Sequence, residues 1–335
     1  MISKSRPIEF VSDGISCAGD LYLPPDFDAS TRYPALVVCH GFTVTKRTLT
    51  SEGQRFAAAG YMTLAIDYRH FGESSGEPRG RLFPHQEVED VRSAITWLEK
   101  QDNVDESRIG IWGTSFGGGI VTYAAAVDRR VKAVVAQAPI LNGYRWLKSM
   151  RGADDWESFL DQLEAARRRR AEMGPGEQLA DASAADSNGL VALPTSQKIV
   201  NAFSAHEKAT GEALLHAGGA LEIESLEKVI EFDAVHLADR ISPRALCVIG
   251  LSGYDVYHPR EDIQSAFKIA GEPKMLHTVP LDQLDIYWEW GRDVCIPLAV
   301  EWFDEHLSAS VIPPSGVVAE VEEQLSSRAK TSTTT

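Results

Sequence analysis

The chain reads as an α/β protein, a mostly parallel sheet with helices on both faces, on three observations. Short continuous apolar runs, such as residues 35–39 and 245–250, alternate with stretches of helical periodicity. Residues 110–119, Gly-Ile-Trp-Gly-Thr-Ser-Phe-Gly-Gly-Gly, punctuate one strand-to-helix passage with a G-x-S-x-G pattern. Residues 141–240 then interrupt the alternation over a stretch too long for a loop, which predicts an inserted helical cap.

In chain order, residues 7–13 and 15–23 read as two strands about a Gly14 turn, and Pro24 and Pro25 end the second. Residues 35–39 are a buried parallel strand followed at once by His40-Gly41-Phe42. Residues 51–59 read as a helix that Gly60 stops, and 61–66 as the next strand. A polar loop at 67–79 leads to a helix at 88–100, marked by Val88, Val91, Ile95 and Leu98. The apolar run 109–112, the glycine-flanked serine and a small-residue helix at 118–126 follow, then a strand at 131–135. In the interruption, Trp156, Phe159, Leu160 and Leu163 recur at helical spacing, as do Ile199, Ala202 and Phe203. Gly174-Pro175-Gly176 divides it, and Arg167 to Arg170 form a basic run, the pattern of a solvated helix face. The alternation resumes at 245–250 and closes with a strand at 275–279 and a helix at 294–307. The expected organisation is a core of 1–140 and 241–307, a cap of 141–240 and a polar, disordered tail of 308–335, with a short helix at 317–325 as an option.

Composition narrows the function. The formal net charge of −15 argues against nucleic acid or an anionic membrane as partner. No apolar run is long enough to span a bilayer, and the first residues carry no secretory h-region. Cys17, Cys39, Cys247 and Cys295 are scattered without a C-x-x-C pair, so neither a metal nor a redox disulfide is indicated, and a cytoplasmic location fits. No cofactor is implied.

Ser115 carries the chemistry. In a G-x-S-x-G turn, glycines two residues either side let strand and helix approach, and the hydroxyl projects at a helix N-terminus. A serine alcohol needs a base oriented by a carboxylate, and two donors for the oxyanion. The backbone N–H of Phe116 is assigned as one donor. The loop after the third strand supplies the other, from Phe42 with Thr43 as the lesser option.

With these residues the chain resembles the α/β-hydrolase superfamily, especially its dienelactone-hydrolase-like and acyl-peptidase-like esterases. It is similar also to some fungal polyketide acyltransferases. The likeness covers residues 8–140 well and 241–307 moderately, and leaves the cap uncovered. It is carried by Gly19-Asp20-Leu21-Tyr22-Leu23-Pro24, by His40-Gly41-Phe42, and by Asp67-Tyr68-Arg69-His70-Phe71-Gly72-Glu73-Ser74, where His70 replaces the usual glycine. Gly250 to Pro259 resembles the segment carrying the triad acid, which implies Asp255 in that role. The family's histidine follows the last strand. Here that segment reads Val-Pro-Leu-Asp-Gln-Leu-Asp-Ile-Tyr from 279 to 287, one residue shorter, and the resemblance places Gln283 at the expected histidine position. A glutamine amide takes no proton near neutral pH.

Three explanations stand: an introduced His-to-Gln change that stops turnover, chemistry that needs no imidazole there, or a base supplied elsewhere. His258, close to Asp255, and His70 and His40, on loops at the same sheet edge, are the candidates for the last. The resemblance implies a hydrolase or acyltransferase that takes a small-molecule ester or thioester through an acyl-enzyme on Ser115. The alternatives are a non-hydrolytic lyase or cyclase of secondary metabolism, a catalytically inactivated variant, and a ligand-binding module. Oligomeric state stays open.

Overall fold

The computed structural model describes residues 5–195, 201, 208 and 220–307. Ten strands are named: β1 (Arg6–Ser12), β2 (Ile15–Tyr22), β3 (Tyr33–Cys39), β4 (Met62–Ile66), β5 (Val104–Thr114), β6 (Ala133–Gln137), β7 (Gln178–Leu179), β8 (Leu221–Glu222), β9 (Ala245–Leu251) and β10 (Lys274–Val279). Eight of them form one sheet in the order β1-β2-β4-β3-β5-β6-β9-β10. β2 pairs antiparallel with both β1 and β4, and every other pairing in that sheet is parallel. β7 and β8 make a separate two-stranded ribbon.

The side-chain period of two splits the parallel strands between two cores. In β3, Ala35, Val37 and Cys39 join one cluster, while Leu36 and Val38 join the other. Helices α1 (Thr50–Ala58), α2 (Pro84–Glu99) and α3 (Phe116–Val127) cover these faces together with the C-terminal helix Glu289–Leu307. Val88, Val91 and Ile95 of α2 pack with the first cluster. Phe56 of α1 packs with Trp302 and Phe303 of the last helix on the second. This is the mostly parallel sheet with helices on both faces that the alternation of elements predicts.

Boundaries move at the ends. α2 starts at Pro84 rather than 88, because a proline is well placed in a first helical turn, where its missing N–H has no acceptor. β5 runs back to Val104, a polar extension invisible to an apolar-run criterion. The last helix begins at Glu289, five residues before the expected start. A helix at Arg260–Ile269, between β9 and β10, escapes the sequence reading because it buries only Asp262, Ile263 and Ala266.

Between β6 and β9 the structure places α4 (Gly143–Ser149), α5 (Ala153–Met173), the β7–β8 ribbon and α6 (Glu224–Ile230). We number the two remaining helices α7 (Arg260–Ile269) and α8 (Glu289–Leu307). α5 ends before Gly174, where φ is +86°. Trp156 and Phe159 of α5 stack on each other with centroids 5.5 Å apart, and the Arg151 guanidinium lies 3.9 Å over the Phe159 ring. The basic run is a paired helix face: Arg167 and Arg170 meet Glu227, Arg168 meets Glu164, and Arg169 meets Glu177. The helical spacing read at Ile199, Ala202 and Phe203, and the expectations of a disordered tail at 308–335 and an optional helix at 317–325, lie outside the described residues.

A buried ion pair fixes the loop after β4. The Arg69 guanidinium bonds Asp90 Oδ1 through Nε at 2.8 Å, and Asp90 Oδ2 accepts from the Arg69 N–H at 2.9 Å. Both side chains are inaccessible to solvent. Removing Asp90 leaves the buried Arg69 guanidinium with only the Ser12 hydroxyl and the exposed Asp13 carboxylate. Asp90→Ala should therefore cost about 3–5 kcal/mol in urea unfolding, whereas Glu164→Ala, which breaks an exposed pair, should leave the midpoint unmoved.

Candidate active site

The chain leaves β5 and enters α3 through Ser115, whose φ of +55° and ψ of −124° lie outside the regions open to most L-residues. The turn is held from both sides. Ser115 N–H donates to Gln137 O at 2.9 Å, and Ser115 O accepts from the N–H groups of Gly118 and Ile140 at 2.9 and 3.0 Å. A Cβ on Gly113 would stand 2.3 Å from Gly117 O, and one on Gly117 would stand 2.3 Å from His40 O. The two flanking glycines are therefore a steric requirement of the turn.

Asp255 and His258 come from a single turn after β9. Asp255 Oδ1 accepts from the backbone N–H groups of Tyr257 and His258, at 3.0 and 3.1 Å, and this folds the chain back on the carboxylate. His258 Nδ1 then lies 3.0 Å from both Asp255 oxygens, and its Nε2 lies 3.2 Å from Ser115 Oγ. Asp255 and His258 are both almost fully buried. Burial pushes the Asp255 carboxyl upward, but the His258 ring and the two N–H donors outweigh it and hold the pKa below the ordinary value.

Gln283 corrects the expectation drawn from its position. Its hydrogen bonds do not reach Ser115. Gln283 Oε1 accepts from Val256 N–H at 2.7 Å, and its own N–H donates to Tyr254 O at 2.9 Å. It thus holds the Asp255–His258 turn from behind. Asp282 helps, accepting from Tyr254 N–H at 2.6 Å. The ring that faces the serine belongs to His258. His70 and His40 take other places. His70 takes φ +70° and packs its ring against Gly76 in its own loop. His40 is buried, with Nδ1 2.9 Å from Gly41 O and its ring edge on Tyr68. His277 lies in β10 and His306 in α8.

The loop after β3 lies against the serine. An ideal Cβ on Gly41 would be 3.3 Å from Ser115 Cβ, which brings Phe42 alongside. Phe116 is the first residue of α3, so its N–H has no intrahelical acceptor. The Phe42 and Phe116 rings meet edge-on at 5.7 Å, and Trp146 of α4 packs against both, at 5.1 and 5.8 Å. The loop is anchored by Lys46. Its N–H donates to Asp67 Oδ1 at 2.7 Å, and its buried ammonium lies 2.5 Å from Glu73 and 3.4 Å from Asp67.

Ser115 and His258 open into a cavity of about 100 Å³. Its walls are mainly apolar: Phe42, Leu49, Ile140, Trp146 and Leu193. Trp146 of the inserted segment lines it, whereas Trp156 and Phe159 do not. Thr195 lines it too, and its Oγ1 accepts from the Tyr257 hydroxyl at 3.2 Å, which ties the inserted segment to the Asp255–His258 turn. Tyr287 and Glu52 complete the polar lining and were not singled out from sequence. Burial raises the Tyr287 phenol to about 12, and its hydroxyl neighbours Ser115 and Thr114.

Residues 13–216 match the family described as X-Pro dipeptidyl-peptidase (S15 family). The chain belongs to that family. Two related structures share the architecture of this S15-family chain. One is the crystal structure of hypothetical protein PA2218 from Pseudomonas aeruginosa, with a TM-score of 0.78 and 27% identity over 91% of this chain and 94% of that one. The other is an α/β-hydrolase from Penicillium sp., GrgF, with a TM-score of 0.74 and 24% identity over 90% and 99%. By sequence, the curated polyketide transferase grgF of Penicillium is 28% identical over 80% of this chain and 85% of its own length. An uncharacterized 31.7 kDa Escherichia coli protein is 40% identical over 148 residues, 44% of this chain and 51% of that protein. At that level the chain spans about half the length of the curated relative. Among the described residues no helix is long and apolar enough to cross a membrane.

Two outcomes follow for this S15-family site. Gln283→His should lower turnover of any substrate rather than raise it, because the imidazole cannot reproduce both the Val256 contact and the amide's volume. Steady-state kinetics on the purified variant checks this, and increased activity would return the base position to 283. The second concerns pH. The folded Asp255 pKa lies below its ordinary 3.8, so the stability it contributes is complete above that value and is lost as pH falls through the folded pKa. The lead of the native chain over Asp255→Asn in unfolding free energy should hold near neutrality and shrink below about pH 4.

Proposed function

We propose that the protein is an acyl hydrolase or acyltransferase that acts on an ester or thioester through an acyl-enzyme on Ser115. The observation that carries this reading is the line Ser115 Oγ, His258 Nε2, His258 Nδ1, Asp255, with contacts of 3.2 and 3.0 Å. Ser115 Oγ attacks the carbonyl carbon and its proton passes to His258 Nε2. Asp255 fixes the ring tautomer and balances the imidazolium charge. The N–H groups of Phe42 and Phe116 receive the oxyanion. Collapse of the adduct expels the alcohol or thiol, which takes the proton from His258. Water or an acceptor alcohol then attacks the acyl-enzyme and loses its proton to His258, which passes it to Ser115 Oγ as the acyl–serine bond breaks and an acid or a new ester leaves.

The apolar cavity supports an acyl chain as the group held, and the relative named polyketide transferase is in keeping with acyl transfer. A lyase without an imidazole had its motive in Gln283, and that motive weakens once His258 stands against Ser115.

The test compares Ser115→Ala and His258→Ala with the native chain on small p-nitrophenyl and thiophenyl esters. Ser115→Ala should abolish turnover. His258→Ala should lower kcat/KM by about two to four orders of magnitude, the usual worth of general-base assistance. A fluorophosphonate should label Ser115 in the native chain and slow correspondingly in His258→Ala. Undiminished ester cleavage by His258→Ala would overturn the base assignment, and undiminished cleavage by Ser115→Ala the nucleophile.

A further inference from the structure

One wall of the apolar cavity carries a carboxylate that the proposed acyl transfer does not use. Glu52 lies on α1, lines the same cavity as Ser115 and is 3% exposed. Its Oε1 accepts from Arg292 Nε of α8 at 2.8 Å. Its Oε2 is buried and has no hydrogen-bond partner among the described residues. A carboxylate oxygen kept from water without a donor is costly. The Arg292 pair accounts for Oε1, since it ties α1 to α8. It leaves Oε2 without a donor on a residue that lines the cavity.

We propose that Glu52 Oε2 accepts a hydrogen bond from a hydroxyl group on the acyl chain, so that the substrate class is hydroxyacyl esters or thioesters. This rests on the acyl-enzyme reading of the same cavity. The donor is a neutral hydroxyl because Arg292 already balances the Glu52 charge, and an ammonium would set a second cation beside the guanidinium. The surrounding apolar walls at Phe42, Leu49 and Ile140 hold the rest of the chain without competing for the hydroxyl.

Binding to Ser115→Ala protein tests this without depending on turnover. The ligands are methyl octanoate and its analogues carrying a hydroxyl, a methoxy or an amino group at successive chain carbons from the third outward, titrated by calorimetry. A hydrogen bond to a charged group is worth roughly a 10- to 100-fold change in Kd. At one or two chain positions the hydroxyl analogue should therefore bind tighter than the plain and methoxy esters by a factor in that range. In Ser115→Ala/Glu52→Gln the amide can keep its oxygen on Arg292 and turn its NH2 to the cavity, so the hydroxyl-over-methoxy ratio should fall toward one.

Because Glu52→Gln alters a buried pair, Glu52→Met/Arg292→Leu removes both charges together and provides the second variant. It should lose the hydroxyl preference as well. Equal Kd for the hydroxyl and plain esters at every position in Ser115→Ala protein would overturn the proposal, as would tighter binding of an amino analogue than of its hydroxyl counterpart. So would a hydroxyl preference that survives both Glu52 variants. If the native chain cleaves no ester at all, the acyl-enzyme reading fails, and these binding ratios still decide the role of Glu52.

Discussion

The carboxyl edge of the sheet is organised around one backbone angle, the +55° φ of Ser115. That angle turns the serine out of the strand and aims its hydroxyl along the start of α3. It is sustainable only where neighbours over-determine it. Gln137 and Ile140 do so by hydrogen bonds, and residues 113 and 117 do so by having no side chain at all. The loop after β3 can then lie flat on the turn, close enough that a Cβ at Gly41 would touch Ser115. Lys46, held by Asp67 and Glu73, keeps that loop from lifting. The Lys46 ion pairs and the strained turn are thus parts of one support, which holds the loop after β3 against the serine.

The second constraint is local. Asp255 and His258 sit three residues apart, and the carboxylate that orients the ring also accepts the backbone N–H groups that shape the turn. One side chain therefore does two things, and the pair needs no second loop to supply its base. The loop after β10 is left free to act as a buttress. Gln283 and Asp282 bond the turn from behind, while Tyr287, further along the same loop, reaches the cavity next to Ser115.

Much of the sheet was legible in the sequence because buried parallel strands write themselves as uninterrupted apolar runs, as at Ala35 to Cys39 and Ala245 to Gly250. The serine was legible because its turn demands glycine at fixed offsets. The histidine was harder. A positional comparison looks for the base after the last strand, and the residue there is Gln283. The three-residue spacing of Asp255 and His258, followed by Pro259, was the available signal. An aspartate folding back on its own N–H groups is common in loops, so the spacing alone did not single out His258. Glu52 left no trace because a glutamate on an amphipathic helix reads as solvent-facing until α8 packs Arg292 against it. Trp156 and Phe159 had the right period for a buried face, but periodicity does not say which core a face enters. They pack among themselves, while Trp146, on the short α4, is the one that lines the cavity.

The inserted segment and the Asp255–His258 turn are joined where Thr195 accepts the Tyr257 hydroxyl. Tyr257 is also the residue whose N–H bonds Asp255. A displacement of the inserted segment would therefore pull on the turn that orients His258, and a chain seated between Trp146, Leu193 and Thr195 would act on both at once. The ion pair of Arg81 with the buried Glu222 fastens the inserted segment to the loop before α2, while the pairs of its basic run stay within it. Its charged face is met by neighbouring glutamates, and its apolar residues Trp146 and Leu193 line the cavity. The division of labour is consistent with a site in which the sheet edge supplies fixed chemistry and the inserted segment supplies the shape of the cavity.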